Sequence, residues 1–210
     1  MKTSIKSLIA LAITGLVLTT AANTANASES APQVTVLSQV KKVNKINVAG
    51  NVELILVQSA DESVKVYDNY FSKNALVQQE NGELRISSFN SERLTVVVYV
   101  SNLSEINAAN NATVKTLGKF NTLDLQINLK DNATAKLNTN TISLSTQISG
   151  QANLTLTGST ITYDAVIGSI AKVDMDQFVA ESTSIRSQNV ALATVVKQAT
   201  LPTAEDLVTF

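Results

Sequence analysis

Asp174 and Asp176 stand two residues apart, a spacing that sets both carboxylates on one face of a β-strand, where paired hard oxygens suit a divalent cation. No calcium-loop spacing surrounds them, and a solvated strand face is the better reading. Lys115 and Lys136 are 21 residues apart. In a repeat of that period they fall in register, facing an acidic glycan or a lipid phosphate, or acting as surface charges that discourage edge pairing. Tyr67, Tyr70 and Phe71 crowd one short stretch. If exposed, they form a sugar or protein contact patch, because aromatics carry a disproportionate share of interface energy; the alternative is an apolar core cluster. Together these residues are the candidate binding surface. Most other site chemistry is closed: without His, Cys or Trp the chain builds no disulfide scaffold, thiolate nucleophile, zinc finger, Ser-His-Asp triad or His-ligated metal. Arg85, Arg93 and Arg186 do not cluster in sequence, so no catalytic residue, cofactor or metal is expected.

The elements that must position these groups belong to one packed domain within 210 residues, 44% of them apolar and 16% charged. That balance argues against a disordered tail and against an electrostatically driven nucleic-acid binder. At the N-terminus, Lys2 and Lys6 precede the apolar run from Leu8 to Leu18, and Ala25-Asn26-Ala27 follows as a small-x-small cleavage pattern. The reading is a secretory signal over residues 1–27, too short and too interrupted by Thr14 and Gly15 to anchor the chain, with no transmembrane segment in the mature protein. Removing its two lysines leaves 14 basic against 17 acidic residues, a net charge of about −3 that favours solubility without steering toward polyanions. The expected destinations are the periplasm, the cell surface or the medium.

Self-comparison finds a recurring alanine two residues after a turn-prone residue: Ala112, Ala133, Ala152, Ala171 and Ala191 follow Asn110, Asp131, Gly150, Ser169 and Asn189. The alanine spacings are 21, 19, 19 and 20. Gly, Asn and Asp tolerate left-handed backbone angles and Ser bonds its own backbone, so all five suit a corner. Stepping forward by two gives the same-face sets Ala112-Val114-Thr116, Ala133-Ala135-Leu137, Ala152-Leu154-Leu156, Ala171-Val173-Met175 and Ala191-Ala193-Val195, while the intervening residues are mostly polar. Stepping backward gives a second strand per repeat, with Leu123-Leu125-Ile127-Leu129, Ile142-Leu144-Thr146-Ile148, Ile161-Tyr163-Ala165-Ile167 and Ile185 expected inside. Gly118, Asn138 to Asn140, Gly158 and Gln177 mark the opposite corner. Such a unit cannot bury its apolar face alone, but stacking copies pairs both strands in parallel around one interior. The prediction is an all-β parallel β-helix of about five to six short rungs. The competing arrangement is an antiparallel sandwich or barrel, which does not account for the two strands of each unit keeping different signatures.

Gly50 stands two before Val52 as Gly150 stands before Ala152, marking an earlier rung, and Asn81-Gly82 reads as a tight turn. Residues 64–66, 84–86 and 94–100 supply further strands, expected to form a wider N-terminal β cap. In this order the chain resembles the head GIN domain family, exported bacterial proteins named as autotransporter adhesin heads. The resemblance is carried by Ile46 to Val52, Asn81 to Ile86, Val98-Tyr99-Val100 leading through Leu103 to Ile106, and the corner motifs ending at Ala112, Ala133, Ala152, Ala171 and Ala191. Of the family's signature glycines at these corners, Gly150 alone is retained. The resemblance covers about residues 40–197 and implies a right-handed β-helical fold and an export signal, with no catalytic residues to carry over. Residues 28–39 then form a flexible lead-in and 198–210 a tail or cap, where Pro202 marks the end of the last strand.

The expected function is a noncatalytic, exported binding or adhesion-like module of the cell envelope, its partner an envelope glycan or surface protein and not a nucleic acid. The alternatives are a carbohydrate-active β-helix enzyme, since that fold hosts polysaccharide lyases and hydrolases, and a self-assembling envelope protein whose open rungs stack end to end.

Overall fold

Alternating apolar and polar residues over short runs, punctuated by Gly, Asn and Asp, dictate strands and corners rather than helices. A computed structural model describes residues 34–67 and 75–188, and every regular element among them is a strand. In chain order these are β1 (Val34–Leu37), β2 (Lys45–Gly50), β3 (Val52–Gln58), β4 (Ser63–Tyr67), β5 (Ala75–Glu80), β6 (Glu83–Ser88) and β7 (Leu94–Val100). They continue with β8 (Glu105–Ala109), β9 (Thr113–Thr116), β10 (Phe120–Asn121), β11 (Asp124–Leu129), β12 (Thr134–Ile148), β13 (Asn153–Gly168) and β14 (Lys172–Gln188). All belong to one 14-stranded sheet of mixed orientation.

The sheet contains two parallel ladders. One runs β7–β3–β9, then the first part of β12, β13 and β14; the other runs β6–β2–β8–β11, then the second part of the same three strands. The alanine corners stack as the period requires. Thr134 donates its N–H to the Ala112 carbonyl, Asn153 to that of Ala133 and Lys172 to that of Ala152, each at 2.9 Å. Ala112, Ala133 and Ala152 are fully buried and Ala171 partly so; Ala191 lies outside the described residues. Asn110, Asp131 and Gly150 take φ of 59°, 59° and 67°, the left-handed geometry expected of corner residues. Asn81 and Gly82, both at positive φ, close the β5–β6 hairpin.

Three features depart from expectation. The first is stacking order: β2 and β3 lie between β6–β7 on one side and β8–β9 on the other, so successive units are not successive layers. The second is orientation: β1 and β4 extend one ladder antiparallel, and β5 extends the other. This end therefore closes on antiparallel strands, of which β5–β6 alone is a hairpin, while residues 84–86 and 94–100, expected in the cap, lie in β6 and β7 as parallel layers of the ladders; β1 falls within the 28–39 stretch. The third concerns Leu123, Ile142 and Ile161, expected inside but 67%, 50% and 46% exposed, with Ile185 also exposed. The cause is a change of parity at the second corner. In β12 the buried positions run 135, 137, 139 and 141, then 144, 146 and 148. The bend consumes one extra residue, which turns Ile142 outward and Thr141 inward. Thr141 and Thr160 tolerate this because their hydroxyls bond each other at 2.8 Å.

A single apolar cluster fills the space between the ladders, from Ile46, Leu54 and Leu84 through Ile106, Ile127 and Leu137 to Leu144 and Tyr163. At the far end Val173, Met175, Phe178 and Ala180 of β14 pack against it partly buried, with the Phe178 ring edge-on to Tyr163 at 5.7 Å. No helix among the described residues is long and apolar enough to cross a membrane.

Candidate functional site

Strand alternation places the outward residues of the second ladder in rows. Ile46 and Val48, Leu84 and Ile86, Ile106 and Ala108, and Ile127 and Leu129 point inward. The residue between each pair therefore faces out, and register aligns Arg85, Asn47, Asn107, Asn128 and Gln147 across five consecutive strands. Two residues further along, Ser87, Ala49 and Ala109 form the next row. Their small side chains leave a groove of about 630 Å³, with Leu76 of β5 and Lys130 also lining it.

The amides of this row are bound to one another. Asn128 donates through Nδ2 to Asn107 Oδ1 at 2.7 Å, and Asn107 to Asn47 Oδ1 at 2.6 Å. Asn47 donates to Glu83 Oε1 at 2.5 Å, which also accepts the Arg85 Nε–H at 2.5 Å. The Arg85 hydrogen bond, followed by its charge and the Asn47 contact, holds the Glu83 carboxyl below the usual carboxylate range and raises Arg85 in turn. Glu105 accepts from Asn107 at 2.8 Å and pairs with Lys45 at 3.2 Å. Chained amides of this kind polarise one another and are held in place. Each primary amide has two N–H groups and two acceptor sites. With Gln126 Nε2 donating to Asn128 Oδ1 at 3.4 Å, these bonds leave Asn47 and Asn128 with a donor and an acceptor each, Asn107 with an acceptor, and the terminal guanidinium N–H groups of Arg85 to face the groove.

The sequence-predicted residues lie elsewhere. Lys115 and Lys136 are register neighbours on the outer face of the first ladder, and the same row continues through Thr155 to Asp174. Lys115 is tied to Glu53 Oε1 at 2.5 Å, while Lys136 is exposed. Asp174 Oδ1 accepts the backbone N–H of Asp176 at 3.2 Å beside a register shift in β14, and both residues are exposed. Among the described residues no group of three or more potential ligands assembles around a metal position. Tyr67 ends β4, half-buried, between Val34 and Thr95; Tyr70 and Phe71 lie outside the described residues. Lys115, Lys136 and Asp174 are thus brought into one row, and Tyr67 is not part of it.

The groove residues were not singled out from sequence. Asn107, Asn128 and Gln147 carried a usable signal, since they recur at 21 and 19 residues, the same steps as the alanines. Asn47 and Arg85 carried none, because their strands are stacked out of chain order.

A family model described as "Putative auto-transporter adhesin, head GIN domain" matches residues 42–202. No curated protein sequence matches the chain. Among solved structures, the chain is similar to a "putative adhesin" from Bacteroides fragilis at 17% identity and TM-score 0.64, over 76% of this chain and 78% of that one. A "putative lipid binding protein" from Parabacteroides distasonis is similar at 11% identity and TM-score 0.62, over 76% and 79%. A "putative adhesin" from Parabacteroides merdae is similar at 15% and 0.56, over 76% and 78%. At these identities the likeness concerns the fold.

Proposed function

Because the chain belongs to the family described as "Putative auto-transporter adhesin, head GIN domain", we propose that it is a noncatalytic, exported binding module of the bacterial cell envelope whose binding surface is the amide-lined groove. The observation that carries this reading is the row Arg85–Asn47–Asn107–Asn128–Gln147, a set of polar groups aligned by five strands and braced by its own hydrogen bonds. Such a row recognises ligand without reorganising, which lowers the entropic cost of binding. The two acids tied into it are both committed to cations, Glu105 to Lys45 and Glu83 to Arg85, whose contact lowers the Glu83 carboxyl, whereas a general acid needs a raised pKa. The names of the structural relatives, adhesin and lipid-binding protein, agree with a binding role.

On this reading residues 1–27 are removed on export and the domain runs to about residue 197, with β1 at Val34–Leu37 as part of it rather than of a flexible lead-in. The parallel ladders are coils of a right-handed β-helix, the hand that parallel crossovers take almost always. N-terminal sequencing of the exported protein is expected to begin after Ala27. The test of function is a binding survey of envelope glycans, peptidoglycan and outer-membrane proteins with the wild type and with Ala109→Trp, which fills the groove floor. Capture that the substitution abolishes is the expected result; capture by neither protein overturns the reading.

A second reading, self-assembly, is favoured by β14, whose 17 residues pair on one side with β13 and, among the described residues, with nothing on the other. Such an edge offers a second copy a ladder of backbone groups. Sedimentation velocity across a concentration series decides it: a constant monomer value excludes assembly through this edge.

A further inference from the structure

We infer that the groove takes a linear acidic glycan, a uronate-bearing chain lying across the strands. This rests on the reading of the groove as the binding surface.

Three observations converge. The first is charge. The mature chain has a net charge of about −3, yet the charged residues that line the groove among the described residues, Arg85 and Lys130, are both cations, with the carboxylates of Glu83 and Glu105 bound into the amide row beside them. Lys130 forms no ion pair among the described residues. A ligand that carries carboxylates finds partners here in the Lys130 ammonium and in the guanidinium N–H groups of Arg85 that Glu83 does not take.

The second is capacity. The groups left over by the amide chain are a donor and an acceptor on Asn47, an acceptor on Asn107, and a donor and an acceptor on Asn128, a mixture that hydroxyls satisfy because each both donates and accepts. An acyl chain would leave those amides buried and unpaired, at the cost such groups carry.

The third is period. Neighbouring strands lie about 4.8 Å apart, so the row presents one polar side chain per 4.8 Å perpendicular to the strands. An equatorially linked pyranose chain advances by close to that distance per sugar, placing one residue over each of Asn47, Asn107 and Asn128. An extended peptide advances only about 3.3 Å per residue and drifts out of step within two or three positions.

The proposed pose puts ring hydroxyls on the three asparagines and Gln147. A carboxylate meets the guanidinium of Arg85, and another the ammonium of Lys130. The Ala49 and Ala109 methyls sit against a ring face. No bond is made or broken.

The experiment is calorimetric titration of the mature protein with oligouronates prepared from the equatorially linked mannuronate blocks of alginate, against neutral cello-oligosaccharides of equal length and vesicles containing anionic phospholipid. Oligouronate binding is expected to weaken as salt rises and by about tenfold or more in Lys130→Gln and in Arg85→Gln, the scale of a lost charged hydrogen bond. Ala109→Trp is expected to abolish it, and Lys136→Gln, on the other ladder, to leave it unchanged. Lys130→Gln touches an exposed side chain without an ion pair among the described residues, so the comparison stands even if Arg85→Gln unfolds through the loss of its Glu83 contact. Cello-oligosaccharides binding as tightly as oligouronates, vesicles binding in their place, or equal affinity in Lys130→Gln overturns the assignment. If no oligouronate binds while Ala109→Trp still loses capture of envelope material, the glycan class is wrong and the groove remains a binding surface. If the wild type captures neither, both readings fall.

Discussion

Replacing Ala152 by Phe tests the stacked corner on which both ladders depend. Ala152 is fully buried, with Ala133 and Ala171 in register on either side of it and Ala112 one layer further on. Layers repeat at about 4.8 Å, so a phenyl ring at 152 has no room along the stack. It must push outward against β-strand backbone that is hydrogen-bonded on both sides, through the Asn153 N–H to Ala133 and the Lys172 N–H to Ala152. Overpacking of this kind costs about 1–3 kcal/mol and more where the backbone must open. For a domain of this size that lowers Tm by about 2–4 °C per kcal/mol, hence by about 2–12 °C. The same substitution at Ala171, partly buried near the open end, has space to relax and is expected to cost under about 1 kcal/mol. Thermal and urea unfolding followed by far-ultraviolet circular dichroism on both variants gives the comparison. An unchanged Tm for Ala152→Phe, or a larger loss for Ala171→Phe, refutes the inward-facing alanine stack.

Gly158→Ala is expected to destabilise by about 1–3 kcal/mol, because φ is +101° and a Cβ would meet the Thr139 carbonyl oxygen at 2.0 Å. Gly118→Ala, with open space around a Cβ at φ +84°, is expected to lose less, as chemical denaturation of the two will show. Tyr163→Phe leaves the buried Thr146 hydroxyl without its 3.0 Å partner and should cost about 1–3 kcal/mol, most of which the double variant with Thr146→Val recovers. Burial raises the Tyr163 phenol above 10 despite the Thr146 bond. Its contribution to stability is therefore complete at neutral pH and declines as pH climbs past 10, which absorbance-monitored alkaline titration measures. For Glu62, burial alone raises the carboxyl. The Ser101 hydroxyl at 2.6 Å and the backbone N–H groups of Ser101 and Lys42 outweigh it and bring the group below 4.5. That stabilisation is present above pH 4.5 and lost as pH falls below it, so Glu62→Gln is expected to flatten this part of the acid-stability profile.

Much of the architecture was legible in the chain because its signals are local. Alternation places Ala133, Ala135 and Leu137 on one buried face whatever lies beyond them, and a residue such as Asn110, Asp131 or Gly150 marks a corner through its own φ. A period of about 20 residues then predicts that each unit meets its copy, as β12, β13 and β14 do. Tertiary structure alone decided the rest. Where Ile142 and Ile161 point depends on how sharply the strand bends, and one residue absorbed in the bend reverses every side chain on one side of it. The placement of β2–β3 between β6–β7 and β8–β9 depends on which distant edges pair, and backbone hydrogen bonds between strands carry no sequence label. For that reason the repeat spacing exposes Asn107, Asn128 and Gln147 of the groove but not Asn47 or Arg85, whose strands are stacked out of chain order and become neighbours of the row through register alone.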